Sequence, residues 1–229
     1  MAGLIESIER VIRLPGWRER VFSWAPSIAR YTPKAAGVFL GYDFHLGEHG
    51  PQLIEINTNA GGALLNAKLL HAQRACCASA TPPFPEQTQV EADFIAMFHE
   101  EWRLARTDAP LRCIAIVDQA PEEQFLAPEF ELFRRLFESH GIRALVLDPA
   151  ELEFDGKALS ARGQTIDLVY NRLTDFSLDE PSNALLRTAY LADAVVLTPH
   201  PQAHALYADK RNLMALGDCE WLTKIGVSP

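Results

Sequence analysis

The sequence has no glycine-rich run of the kind that binds phosphates in P-loop and dinucleotide-binding proteins. Its 13 glycines are scattered, and none forms the dinucleotide fingerprint after the apolar segment that starts at Leu111. A nicotinamide-dependent oxidoreductase would need that fingerprint. This class of enzyme is therefore disfavoured, although the alternation of strands and helices would suit it.

Cysteine is also scarce. Cys76, Cys77, Cys113 and Cys219 show no paired metal-binding spacing, and two of them are adjacent. Adjacent cysteines do not suit a disulfide framework. We interpret all four as buried or inert thiols.

Positive charge is in deficit, with 21 Lys and Arg against 30 Asp and Glu, a net charge of −9. This balance disfavours nucleic acid and anionic membranes as partners. The N-terminus carries charge at once, without the apolar region of a signal peptide, and no apolar run approaches the length of a membrane-spanning helix. We therefore expect a cytoplasmic protein with no nucleic-acid or membrane partner.

The most informative segments are the apolar run 37–43 and the run 53–57, joined by a turn-rich connector at 47–51. This arrangement predicts an antiparallel hairpin with Asp43 and Glu55 on paired strands. Side chains alternate along a strand, so Glu55 and Asn57 should share a polar face, with Ile54 and Ile56 on the apolar face.

Two carboxylates and an amide oxygen on one open face suit a hard cation, and Mg²⁺ is often held by one or two carboxylates together with substrate phosphates. The following Asn59, Gly61 and Gly62 could bring backbone N–H groups close to an anion. The alternative is an ordinary polar hairpin edge with a glycine-rich turn that leads into a helix.

An α/β pattern follows. Buried strands are predicted at 111–118, 143–148, 166–172 and 194–198, with a helix at 128–141 and a small hairpin at 153–159. Asn171, Arg172 and Asp175 follow the third of these strands, where ligand-binding residues of open α/β sheets tend to lie. Arg172 could hold a substrate carboxylate or phosphate. An ordinary salt bridge is an equal alternative.

Two further helices are predicted at 63–78 and 91–106, separated by a proline-rich linker at 80–85. The aromatic stripe of the second helix should face the core. Its solvent-exposed face should be formed by Asp93, Glu100, Glu101 and Arg103. His200 and His204 are spaced for metal chelation, but the lack of an acidic third ligand favours a capping or surface role. His45 and His49 flank the hairpin turn and are predicted to be exposed.

The combination of Asp43, Glu55 twelve positions later, Asn57 and a following glycine resembles the metal-binding strands of ATP-grasp ligases. Its place near the start of the chain resembles the circularly permuted ATP-grasp proteins and the glutathionylspermidine-synthase-like and glutathione-synthetase-like groups. The strand, the proline turn 199–201 and a helix bearing Asp209 and Lys210 resemble a second junction of these ligases. Residues 221–229 resemble the lead-in to their nucleotide-binding subdomain.

The resemblance implies that Asp43, Glu55 and Asn57 hold Mg²⁺, that Lys210 approaches ATP, and that Asn59, Gly61 and Gly62 face phosphate or substrate. It implies an ATP-dependent ligase that joins a small-molecule or peptide carboxylate to an amine through an acyl phosphate. The chain would be its N-terminal part, with the missing C-terminal ATP-grasp half expected in cis. The alternative is a non-catalytic binding or scaffold protein.

The expected organisation has four parts. Residues 1–79 form helices and the metal-binding hairpin portion of an ATP-grasp domain, and 80–110 form a linker and a bridging helix. Residues 111–215 form a parallel-sheet domain like the one that precedes the ATP-grasp domain, and 216–229 lead into the missing subdomain. The predicted fold class is therefore α/β, with an α+β hairpin portion.

Overall fold

The computed structural model describes residues 1–48, 50–76 and 87–228 and confirms a mixed α/β fold. The predicted linker 80–85, His49 and Cys77 lie outside the described residues. None of the described helices combines the length and apolar character that a membrane crossing requires. The helices are α1 Ala2–Ile12, α2 Pro15–Phe22, α3 Ala63–Cys76, α4 Gln87–Arg106, α5 Ala127–Ser139, α6 Ala184–Leu191, α7 Pro201–Ala203, α8 Arg211–Leu216 and α9 Cys219–Lys224.

The strands of the described residues form three separate sheets. They are β1 Gly41–Gly47, β2 Gly50–Asn57, β3 Cys113–Val117, β4 Arg143–Leu147, β5 Glu153–Phe154, β6 Leu159–Ala161, β7 Gln164–Thr165, β8 Leu168–Asn171 and β9 Val196–Thr198. The central sheet is parallel with the order β4-β3-β8-β9, β1 pairs with β2, and β5 to β7 form a small antiparallel sheet. All four core strands predicted from the sequence are present, with shorter bounds.

Each face of the parallel sheet has its own apolar cluster. One face packs on α4 and α5, with Phe98, Phe133 and Phe137 fully buried. The other face packs on β6 and α6. A third cluster, centred on the fully buried Trp17, joins α1 and α2 to the hairpin residue Ile56. The predicted aromatic stripe of α4 is therefore part of the core.

Glu101 departs from the sequence prediction, because it is buried and does not belong to the solvent-exposed face of α4. Its carboxylate accepts hydrogen bonds from the N–H groups of Ala36 (3.0 Å) and Gly37 (2.9 Å) and from the hydroxyl of Thr198 (2.7 Å). These bonds occupy the backbone that precedes the hairpin. The strand predicted to start at Gly37 therefore starts only at Gly41.

The hairpin pairs Asp43 with Glu55, as the sequence predicts, but the register shifts immediately after this pair. Phe44 lies opposite Leu53, so Ile54 is an extra residue in a β-bulge. Ile54 is 52% exposed, whereas Ile56 is buried. The prediction that both isoleucines lie on the apolar face of the hairpin is wrong for Ile54, because the bulge interrupts the alternation of side chains.

The segment that bears Asp209 and Lys210 also differs from the prediction. After α7 the chain forms a π-helical turn, His204–Ala208, and the helix that follows starts only at Arg211. The carboxylate of Asp209 accepts from the N–H of Arg211 (3.0 Å) and pairs with its guanidinium. Asp209 and Lys210 therefore precede α8 and do not lie within a helix.

The structure describes the side chains of Cys113 and Cys219. Cys113 is buried in β3, and burial raises the pKa of its thiol to about 11, which agrees with an inert role. Cys219 is exposed at the start of α9. The predicted burial is therefore confirmed for Cys113, whereas Cys219 is exposed and its inertness stays a prediction.

His200 has the capping role that the sequence favours. Its Nδ1 accepts from the N–H of Ala203 (3.0 Å), and its Nε2 donates to the carbonyl of Ala35 (3.1 Å). Gly37, with φ +92°, lies so close that a Cβ would stand 2.8 Å from His200 Nε2. Burial lowers the pKa of His200 to about 4, so the ring is neutral in the folded protein.

We predict that protonation of His200 makes the fold sensitive to acid. The unfolded chain binds this proton near pH 6.5, whereas the folded chain binds it only near pH 4. The free energy of unfolding should therefore fall by about 2 kcal/mol between pH 7 and pH 5 on account of this residue. Urea unfolding at the two pH values measures the change. His200→Asn, which keeps a capping acceptor, should lose this component, while the same substitution at the exposed His45 should retain it.

Candidate functional site

Three predicted cation ligands converge at the base of the hairpin. The side-chain amide of Asn57 lies 3.1 Å from Glu55 Oε1 and 3.3 Å from Asp43 Oδ2. Cross-strand pairing places the two carboxylates opposite each other, and the period of two along β2 returns Asn57 to the side of Glu55. The nitrogen and oxygen of an amide can exchange places by rotation. With the oxygen turned inward, the set would present three oxygen donors.

Lys210 faces this group from the segment before α8. Its Nζ lies 3.4 Å from Glu55 Oε2, and 82% of its side chain is exposed. Hydrogen bonds from Asn57 and then from Lys210 hold the pKa of the Glu55 carboxyl below its usual value. Glu55 is therefore ionised at neutral pH, and an exposed cationic side chain lies beside it.

The chemistry of this donor set fits Mg²⁺ better than a softer metal. Among the described residues, no three His, Cys, Asp or Glu side chains come together in a way that could hold a metal ion. Two carboxylates and an amide cannot form a closed protein cage, but Mg²⁺ keeps several waters and completes its shell with substrate phosphates. The open side of the set, where Lys210 lies, leaves room for such a ligand.

A cleft of about 320 Å³ adjoins the donor set. Its walls include Glu55, Asn57 and Lys210, together with the predicted ligand-binding residue Asn59. A second cleft of about 400 Å³ includes the predicted substrate residue Asp175. Both clefts are bounded by Phe176, His204 and Asp209.

The wall between the two clefts is an aromatic stack that the sequence prediction misses. The rings of Phe176 and His204 are parallel within 6°, with centroids 3.7 Å apart, and His204 Nδ1 lies 3.3 Å from the hydroxyl of the buried Thr58. Burial lowers the pKa of His204 to about 4. Phe176 and His204 are 28 positions apart in the chain, so no local pattern indicates their contact.

The glycine-rich turn is arranged differently from the expectation. The N–H of Gly62 donates to Glu129 Oε2 (2.7 Å), and the N–H of Leu64 donates to Glu129 Oε1 (3.0 Å). The buried Glu129 thus satisfies the first N–H groups of α3. A Cβ on Gly61 would stand 2.3 Å from Leu126 Cδ1, so a larger residue there would displace the end of the Leu126 side chain. Gly61 and Gly62 serve the start of α3 and do not line the cleft.

Arg172 is the one residue of the predicted substrate set that reaches this turn. Its Nη1 donates to the carbonyl of Ala60 (3.1 Å) and to the hydroxyl of Tyr170 (3.2 Å), while its Nε has no partner among the described residues. Arg172 is buried, and no carboxylate of the described chain forms a salt bridge with it. The structure therefore does not favour the ordinary salt bridge that the sequence left open.

Asn171 and Asp175 hold the end of β8 in place. Asn171 donates to the carbonyl of Pro199 (3.3 Å) and accepts from the N–H of Leu173 (3.1 Å). Asp175 accepts from the hydroxyl of Ser177, from two backbone N–H groups and from the side chain of Asn183. The polar atoms of both residues are thus committed to local structure.

The fold places the chain among α/β proteins with an attached antiparallel hairpin. Neither a protein-family model nor a curated protein sequence matches it at a significant level. Among solved structures, it is similar to a glutathione synthetase-like effector from Globodera pallida in its apo form. The TM-score is 0.61 at 14% sequence identity, over 95% of this chain and 56% of the effector. This likeness shows a shared fold.

Proposed function

We propose that this chain supplies the metal-binding side of an ATP- and Mg²⁺-dependent ligase that joins a carboxylate to an amine. The observation that carries the proposal is the convergence of Asp43, Glu55 and Asn57 within hydrogen-bond distance, with Lys210 facing them. The fold shared with a glutathione synthetase-like protein supports the same conclusion.

In this proposal, Asp43, Glu55 and the amide oxygen of Asn57 hold Mg²⁺. When bound, the ion neutralises charge on the transferring phosphoryl group. The ammonium of Lys210 moves from Glu55 to the ATP phosphates, a movement that its 82% exposure permits. Asn59, at the wall of the cleft, orients the phosphate or the substrate.

The proposed reaction has two steps. A carboxylate oxygen of the first substrate attacks the γ-phosphorus of ATP, the bond from that phosphorus to the ADP oxygen breaks, and an acyl phosphate forms. The nitrogen of the amine substrate then attacks the acyl carbon, and inorganic phosphate leaves as the nitrogen loses a proton. The contribution of the chain is charge stabilisation and positioning of the phosphates. Arg172, whose Nε lacks a partner among the described residues, is the candidate residue that binds the carboxylate of the first substrate.

The proposed activity belongs to a longer assembly. The chain spans 56% of the glutathione synthetase-like effector, so we propose that the remaining ATP-binding half is supplied in cis. The early position of the hairpin supports a circularly permuted order, in which residues 216–229 lead into that half. The competing function is that of a binding or scaffold protein, which keeps only the hairpin and the parallel sheet. The coverage of only 56% of the effector is compatible with this alternative.

The experiment that separates these functions uses the protein with its full natural sequence. Incubation with ATP, Mg²⁺, hydroxylamine and a mixture of amino acids and short peptides should release ADP and trap the acyl phosphate as a hydroxamate. Mn²⁺, titrated and followed by electron paramagnetic resonance, reports the metal site independently. Mn²⁺ binding without release of ADP or formation of hydroxamate would favour the binding protein. Absence of Mn²⁺ binding together with absence of ADP release would contradict the metal site.

Lys210→Met should change the affinities for the metal ion and for the nucleotide in opposite directions. Removal of the ammonium beside Glu55 should raise the pKa of this carboxyl towards its usual value and strengthen Mn²⁺ binding by about threefold, as expected for an exposed pair. ATP affinity of the complete protein should fall. Carbon NMR of the Glu55 carboxyl and Mn²⁺ titration measure the first two effects. Lys157→Met, at an exposed turn, is the matched control, and an unchanged Glu55 pKa in Lys210→Met would contradict the pairing.

A further inference from the structure

A groove of about 710 Å³ follows the outer edge of β4, apart from the metal hairpin. Its floor is formed by residues 144–146 of β4, and its walls by α5 and by the loop 120–123. The same loop continues to Phe125, whose side chain is 92% exposed. The groove has the volume of a ligand site, and none of its lining belongs to the site described above.

The outer edge of β4 lines this groove, with Ala144 buried and Val146 half-buried. The N–H of Arg143 donates to the carbonyl of Arg112 (2.9 Å), and the carbonyl of Leu147 accepts from the N–H of Asp118 (3.2 Å). Alternate residues of a strand bond to the same neighbour, so the peptide groups of Ala144 and Val146 face away from β3. Within the described residues, no strand pairs with that outer edge.

The groove is acidic. Five glutamates and two arginines line it, a formal excess of three negative charges. The arginines are already committed, because Arg134 pairs with Glu131 and Glu138, and Arg162 pairs with Glu151. The remaining glutamates, Glu122 and Glu123, are exposed and form no ion pair within the described part of the chain.

We propose that this groove is a docking site for an extended, basic peptide segment of another protein, which adds a strand to the edge of β4. The peptide groups of Ala144 and Val146 supply main-chain hydrogen bonds, as in other cases of strand addition. Glu122 and Glu123 select lysine or arginine side chains on the incoming segment. A second copy of this chain is a poor occupant, because pairing β4 with β4 would bring two acidic rims together.

The test uses a fluorescent Lys-Val-Lys-Val-Lys peptide and the intact chain, with fluorescence anisotropy as the readout. We expect saturable binding, loss of amide exchange at Ala144 and Val146, and no binding of the Glu-Val-Glu-Val-Glu peptide. Methylation of every internal amide nitrogen of the basic peptide should weaken binding by at least about tenfold, since a strand must donate these hydrogens.

Glu122→Lys/Glu123→Lys should weaken binding of the basic peptide by about tenfold. Glu6→Lys/Glu19→Lys, which makes the same charge change at exposed positions of α1 and α2, should leave binding within about twofold. Absence of saturable binding would overturn the proposal. So would binding that survives amide methylation, which would indicate charge attraction alone, or a dimer of the chain that protects Ala144 and Val146.

Discussion

We expect Glu55→Gln to remove most of the function of the proposed metal site without disturbing the fold. The substitution keeps the shape of the side chain but removes the negative charge that Lys210 and the bound cation would share. Mn²⁺ affinity of the chain should fall by at least about tenfold. ADP formation by the complete protein should fall by about 100-fold or more, because the transferring phosphoryl group loses charge stabilisation.

Stability should change little in this variant. The Glu55 side chain is 31% exposed, and its ion pair with Lys210 is a surface pair, which contributes little to stability. Glu48→Gln, on the exposed turn of the same hairpin, is the matched control and should retain metal binding and turnover. Undiminished ADP formation by Glu55→Gln would remove the assignment of the hairpin as the metal site.

The pairing of Asp43 with Glu55 could be predicted because it depends on local information. Two apolar runs and a turn-rich connector specify a hairpin, and the period of two places Asn57 beside Glu55. The four core strands are predictable for the same reason, since short β-branched runs have few other structures open to them. The residues that converge at the proposed cation site are thus determined by their order along two short segments.

The predictions that depend on distant residues were less successful. The bulge at Ile54 follows from how the hairpin packs, and nothing in the alternation of its residues indicates it. Glu101 and Glu129 are charged residues, a type that favours solvent, yet both are buried because backbone N–H groups more than 60 positions away require an acceptor. The expectation that Gly62 faces phosphate or substrate fails for the same reason. Its N–H donates to Glu129, which is distant in the sequence.

Three segments of the chain therefore depend on buried carboxylates for their positions. Glu129 fixes the turn that follows the proposed cation ligands, whereas Glu101 fixes the approach to the hairpin and the end of β9. A buried carboxylate costs free energy to desolvate, and only its hydrogen bonds offset this cost. Truncation of such a residue should consequently have a large effect on the whole fold.

Glu101→Ala is expected to lower the free energy of unfolding by about 3–5 kcal/mol, because two backbone N–H groups and one hydroxyl lose a charged acceptor and a cavity remains. Urea unfolding at pH 7 measures the change. Glu100→Ala is the matched control on the same helix: its carboxylate is half-exposed and, among the described residues, pairs with Arg103 alone, so the cost should be small.

Glu101→Gln separates the charge from the shape. The glutamine retains one carbonyl oxygen, but its NH₂ group cannot accept the hydrogen bond from a backbone N–H. We expect a loss intermediate between those of Glu101→Ala and Glu100→Ala, together with faster amide exchange at Ala36 and Gly37. Equal stability of Glu101→Ala and Glu100→Ala would show that this carboxylate does not hold the hairpin to β9, because a buried acceptor of three bonds cannot be removed without cost.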